Sequence, residues 1–158
     1  MQLLTQDLRA RLIANSVPSE VEGGQQRGDH VPVVKFFNPC GAATWLFSEL
    51  DEDGDTLFGL CDLGFGCAEL GSASLSEIAS VRVNFGLKIE RDLHFAAAHP
   101  LTVYADAARH HGGITEIDAL LAAAAMRLAL ERAQFARKRP LFARERDALP
   151  PSIPPDGG

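Results

Sequence analysis

Residues 49–66 read ELDEDGDTLFGLCDLGFG, and the way this run is read decides the fold. Acids hold five of its first seven positions (Glu49, Asp51, Glu52, Asp53 and Asp55), and Asp62 then stands alone in an apolar run. Three readings compete: a calcium loop, a catalytic carboxylate cluster, or a turn between two strands. Asp51, Asp53 and Asp55 have the i, i+2, i+4 spacing of a calcium loop, and Asp62 falls at its twelfth position. The sixth position, however, must be glycine to make the loop's sharp turn, and here it is Thr56, with Gly54 two places early. The flanks read as strands, not as the helices an EF-hand needs. The turn is therefore the preferred reading.

Working outward, residues 43–50 and 56–62 form a hairpin about Asp53-Gly54, a dipeptide that suits a two-residue type I′ turn with positive φ at both central positions. This register sets Leu50 opposite Leu57, Glu49 opposite Phe58 and Trp45 opposite Asp62. One face then carries Leu46, Ser48, Leu50, Leu57, Gly59 and Cys61. The other carries Trp45, Phe47, Glu49, Phe58, Leu60 and Asp62. Both faces are largely apolar, so the hairpin is expected at the centre of a sheet with helices packed on it. Glu49 and Asp62 are expected on the aromatic face, near Trp45.

The remaining elements follow from local signals. Thr5 caps a first helix with Asp7 in its first turn. Residues 16–30 lack an apolar period and read as a surface loop. Residues 31–37 are β-branched and aromatic and read as a strand. Ser74 and Glu77 make a capping box for a helix over 75–82. Residues 87–95 alternate like a half-buried strand. Pro100 opens a helix that reaches His111 and is stopped by Gly112-Gly113. Thr115 and Asp118 cap a last helix over about 116–139, which Pro140 is expected to end. The expected architecture is a single α+β domain over 1–139: a small, mainly antiparallel sheet with a central hairpin, covered by terminal helices. Residues 140–158 are expected to be a basic, then proline-rich tail.

Composition narrows the classes. The chain has 158 residues, 46% of them hydrophobic, enough for one domain with its own core. Three cysteines, Cys40, Cys61 and Cys67, are odd in number and form no C-x-x-C, against a disulfide framework or a zinc ribbon. The N-terminal stretch mixes acids and bases, unlike a signal peptide, and the longest apolar run is broken by Arg127. A cytoplasmic protein with no membrane association is expected. The net charge of -6 is unevenly spread: residues 1–124 hold 8 Lys/Arg and 17 Asp/Glu (-9), and residues 125–158 hold 7 and 4 (+3). An acidic body followed by a basic segment can supply two contact surfaces.

The phrases FGLCDLG and AELG in residues 58–71 and ERDLHF in 90–95, with the surrounding run over about 3–111, resemble a family of small uncharacterised proteins, a domain of unknown function carried on conjugative plasmids and integrative elements of Proteobacteria. The resemblance implies a mobile-element setting near conjugation, partition or anti-restriction functions. It implies no catalytic residues. The helix and tail after Ile114 lie beyond it.

Candidate sites fall into four groups. Glu49, Asp62, Glu90 and Asp92 are the carboxylates able to hold a divalent metal or divide acid and base roles, provided they converge. Glu90 and Asp92 share one strand face and Arg91 takes the other. The histidines and cysteines lack zinc-ligand spacing, and no nucleophile or phosphate-loop motif is present, so no cofactor and no metal is expected. Arg132, Arg137, Lys138, Arg139, Arg144 and Arg146, interleaved with Phe135 and Phe142, are candidates for nucleic-acid phosphates. Asp51, Glu52, Asp53, Asp55 and Glu69 are the candidates for contact with a protein partner. The favoured reading is a non-enzymatic accessory protein that binds such a partner, with action against host restriction or CRISPR defence as its sharpest form. A carboxylate hydrolase and a nucleic-acid binder are the alternatives.

Overall fold

The computed structural model describes residues 2–17, 19–21, 24–26 and 28–147, with side chains described for 2–17 and 28–138. The α+β domain is built by residues 1–125, and a second contact unit, residues 126–158, holds the remainder of the last helix. The elements in order are α1 (Gln6–Ser16), β1 (Ser19–Val21), β2 (Gly24–Gln26), β3 (Val34–Phe37), β4 (Thr44–Leu50), β5 (Thr56–Asp62), β6 (Glu69–Ser74), α2 (Leu75–Ser80), β7 (Glu90–Arg91), α3 (Leu101–His111) and α4 (Asp118–Asp147). Five strands form one antiparallel sheet in the order β6-β5-β4-β3-β7, with the β4–β5 hairpin inside it.

The hairpin is central, as expected, but its phase differs. Leu50 faces Leu57 and Glu49 faces Phe58, after which a bulge at Ser48 shifts the register, so Trp45 faces Cys61 and Asp62 faces Thr44. The extra residue moves Trp45 and Phe47 onto the face of Leu50 and Leu57. Glu49 and Asp62 do share a face, but it is the face opposite Trp45. Gly59 faces Phe47 beside the bulge; a Cβ there would lie 2.0 Å from the Leu46 carbonyl oxygen, so only glycine allows the approach.

Each face of the sheet has its own core. On one, Phe36, Trp45, Phe47, Leu50 and Leu57 bury against Leu4 and Leu12 from the α1 end and Leu75 and Ile78 of α2. Phe36 and Phe47 meet edge to face at 5.6 Å between centroids, a favoured aromatic geometry. On the other, Leu46 and Leu60 are fully buried, and α3 packs on β5.

Local signals hold at several ends. Thr5 Oγ1 accepts from the Leu8 amide and Ser74 Oγ from the Glu77 amide, and Gly112, at φ 87, closes α3. Elsewhere the expected boundaries fail for physical reasons. The 51–55 turn is a five-residue connection in which only Gly54 has positive φ, so it is not type I′. The tight turn with two positive φ values lies at Phe85 (φ 60) and Gly86 (φ 73), where the Leu87 amide donates to the Asn84 carbonyl. That turn takes up the start of the expected 87–95 strand. The Asp92 carboxylate, accepting from the His94 amide, ends it, so of the expected strand Glu90–Arg91 pairs with β3 while Lys88 bridges back to Arg82. Residues 16–30 are not all loop: β1 and β2 pair, since a backbone ladder needs no apolar period. Pro140 does not stop the last helix, which runs on to Asp147. A proline removes one backbone hydrogen bond, and the Ala, Arg, Leu and Glu on both sides are strong helix formers. Residues 148–158, the end of the expected tail, lie outside the described residues.

Candidate functional site

The acidic turn is built by its own side chains. Asp53 accepts from the Asp55 and Thr56 amides, both at 2.8 Å, and from the Thr56 hydroxyl at 2.6 Å. Asp55 accepts from the Ser74 hydroxyl at 2.6 Å and the Ser76 amide at 2.8 Å, which ties the turn to the junction of β6 and α2. These bonds favour the ionised form. The Thr56 hydroxyl, then the Thr56 and Asp55 amides, hold the Asp53 pKa below the usual carboxylate value. The Ser74 hydroxyl, then the Ser76 amide, do the same for Asp55. Glu52 is exposed and Asp51 half-buried, and Arg9 reaches the turn to donate to the Gly54 carbonyl at 3.0 Å. Glu69 is exposed at the first residue of β6. The five partner-contact candidates thus bracket β6: four at the turn that meets its last residue, one at its first. Glu77, whose sequence signal is only that of a capping box, is exposed in the first turn of α2 and adds a charge at the turn end.

The four candidate catalytic carboxylates share a sheet face but do not converge. Asp62 is buried; it accepts from the Gly64 amide at 2.8 Å and the Ile114 amide at 2.9 Å, fastening the end of β5 to the segment before α4. It is level with Thr44, five residues along β4 from the fully buried Glu49, or ~15 Å at strand rise. Glu90 and Asp92 belong to the β7 end of the sheet, three strand positions or ~14 Å from β5. There Lys35 pairs with Asp92 at 3.2 Å and with Glu116. Burial pulls the Lys35 pKa down, but its bonds to Glu116 and Asp92 outweigh this, and the net shift is upward. The Asp92 pKa is lowered, first by the His94 amide and then by Lys35. This ion-paired group was missed because Lys35 and Glu116 are 81 residues apart. Among the described residues, no three His, Cys, Asp or Glu side chains are placed to hold a metal ion.

The remaining candidates are dispersed. Nδ1 of His110 lies 2.8 Å from the Asp106 carbonyl oxygen, as a ring near a helix end does. Cys40 and Cys67 are exposed, whereas burial pushes the Cys61 thiol up to about 11. Of the basic candidates, Arg132, Arg137 and Lys138 are exposed on α4, and Phe135 is 71% exposed between them. Arg139, Arg144 and Arg146 lie on the α4 backbone, with side chains outside the described residues. No helix among the described residues is long and apolar enough to cross a membrane.

Residues 3–115 match the model of a family described as protein of unknown function DUF2958. No curated protein and no solved structure matches the chain. The match spans the whole sheet and α1 to α3, and the chain belongs to this family.

Proposed function

We propose that this family member is a non-enzymatic accessory protein that binds a protein partner through the acidic groups bracketing β6. The observation that carries the reading is the contrast between its carboxylates. Asp62 and Asp92 are consumed by internal bonds and lie strands apart, whereas Glu52 and Glu69 are exposed and Asp53 and Asp55 are held ionised at the surface. Fixed surface charge of one sign steers and selects a partner of the opposite sign. The mobile-element setting and a role against host restriction or CRISPR defence rest on the sequence resemblance, a cytoplasmic location rests on the N-terminal stretch and the short apolar runs, and together they complete the proposal.

The exposed Arg137 and Lys138 beside Phe135 favour a second reading, contact with nucleic acid through α4. One experiment separates the two. The tagged protein is used to capture partners from its host with and without nuclease, alongside a Glu52→Lys/Glu69→Lys variant and an Arg137→Ala/Lys138→Ala variant. The protein-partner reading expects a nuclease-resistant partner that the acidic-site variant loses and the helix variant keeps. Recovery that vanishes with nuclease, or with the helix variant alone, supports the nucleic-acid reading instead.

A further inference from the structure

β6 is the outermost strand at one end of the sheet. The Leu75 amide donates to the Asp55 carbonyl, and the Asp51 amide to the Thr56 carbonyl. Antiparallel ladders alternate, so the even residues of β5 bond β4 and its odd residues bond β6. The register then turns Glu69, Gly71 and Ala73 toward β5, and turns the N–H and C=O of Leu70 and Ser72 outward. Among the described residues no strand lies beyond β6. The edge carries none of the usual guards: no proline, no lysine, no bulge, and one charge, at its first residue.

The surroundings say what an added strand would look like. On the α3 side, a groove of about 440 Å³ lies beside the edge, lined by Gly66, Ala68, Glu69, Leu70, Ala105 and Arg109. An apolar side chain of the incoming strand fits there. On the opposite face Gly71 has no atom within 4 Å of where a Cβ would stand, so that side is clear. Carboxylates stand at both ends, Glu69 at one and Glu52, Asp53, Asp55 and Glu77 at the other. Self-pairing is disfavoured by the same charges. A two-fold pairing sets even residues against even, and the two registers with the longest overlap along β6 put Leu70 on Ser72 or Ser72 on itself. Either register brings Glu69 of each copy against the Asp55 end of the other.

We infer that the free edge of β6 takes an extended segment of the partner as a sixth strand, bonded to the Leu70 and Ser72 backbone, with an apolar residue in the groove and Lys or Arg at its ends. Strand addition draws affinity from main-chain hydrogen bonds and specificity from side-chain pockets and end charges. The inference deepens the proposed protein-partner function and rests on it.

The probe is a short acetylated and amidated peptide alternating threonine and valine with a lysine at each end, and its twin ends in glutamates. Both are titrated into the full chain while backbone amide exchange is followed. The lysine peptide should bind at least about tenfold tighter, as two rim ion pairs allow. It should slow exchange at the Leu70 and Ser72 amides. Ser72→Pro, which removes an outward donor that β5 does not use, should abolish binding and leave the melt nearly unchanged. Glu52→Lys/Glu69→Lys should reverse the peptide preference, and serves also if the proline variant fails to fold. Equal binding of the twins, protection elsewhere, or binding retained by Ser72→Pro overturns the proposal. So does protection of the same amides without peptide that rises with protein concentration alongside a doubled mass, which makes a second copy the occupant. If Ser72→Pro still captures the nuclease-resistant partner, strand addition fails and the acidic-face reading stands. If Glu52→Lys/Glu69→Lys also captures it, both fail.

Discussion

The two edges of the sheet are built to opposite specifications. β7 is two residues long, charged at both, and closed off by Asp92, whose amide bonds Lys35 O while its carboxylate pairs with Lys35 Nζ. Arg91 of the same strand donates to the Leu3 carbonyl at 3.0 Å, crossing to the N-terminal segment. β6 is six residues long, is mostly glycine, serine and alanine, and has its charges only beyond or at its ends. Unpaired strand edges invite pairing with other chains, and proteins guard them with short strands and inward charges. β7 shows those guards; β6 lacks them. The acidic turn at 51–55, tied through Asp55 to Ser74 and Ser76, stands at the end of the edge that lacks those guards.

The largest expected effect removes the scaffold that both edges share. Phe47, fully buried on β4 against Phe36, should cost about 3–5 kcal/mol when replaced by alanine, since truncating a buried aromatic loses both transfer energy and packing. Chemical denaturation measures it; a loss under about 1 kcal/mol would mean that the hairpin is not the core. Asp62→Ala comes next. It strips two amide donors, at Gly64 and Ile114, of their acceptor, and should cost about 1–3 kcal/mol. Partner capture at a temperature where the variant stays folded should not change. Loss of capture by a folded Asp62→Ala protein would return this carboxylate to the functional site.

At the guarded edge, Lys35→Met leaves Asp92 and Glu116 without their ammonium. Because both partners are partly exposed, the cost should be only about 1 kcal/mol. At the unguarded edge, Glu69→Lys should change stability by no more than about 0.5 kcal/mol, since the residue is exposed. A thermal melt that ranks the two the other way breaks the comparison.

The smallest effect is in acid. The folded pKa values of Asp53, Asp55 and Asp92 are depressed, so each contributes stability that is present above the ordinary carboxylate pKa of about 4 and lost as pH falls through the lowered folded value. The raised Lys35 works the other way, its contribution present below the ordinary lysine pKa of about 10.4 and lost as pH rises through the folded value. Melting temperature should therefore be flat with respect to these groups between about pH 6 and 9 and fall below about pH 4. Asp53→Asn should shallow the acid limb; an unchanged limb contradicts the bonds drawn at the turn.

Much of the fold was legible because it is local. The caps at Thr5 and Ser74, the Gly112 stop and the two hairpin strands each follow from a few adjacent residues. What was not legible depends on partners far along the chain. β6 has no alternation and no β-branched residue, and it is a strand because β5 offers it a ladder. The bulge at Ser48 inverted the faces because no sequence pattern marks one extra residue in an apolar run. At the candidate site, the acidic residues were visible as composition, but the edge they bracket was not, since that edge is a property of strand order.

Amide hydrogen exchange of the unbound chain tests the two-edge account most directly. The account predicts rapid exchange at Leu70 and Ser72, slow exchange at Gly71 and Ala73, which bond β5, and slow exchange at Asp92, which bonds Lys35. Protection of Leu70 and Ser72 equal to that of Gly71 and Ala73 would contradict it, because the edge would then already be covered.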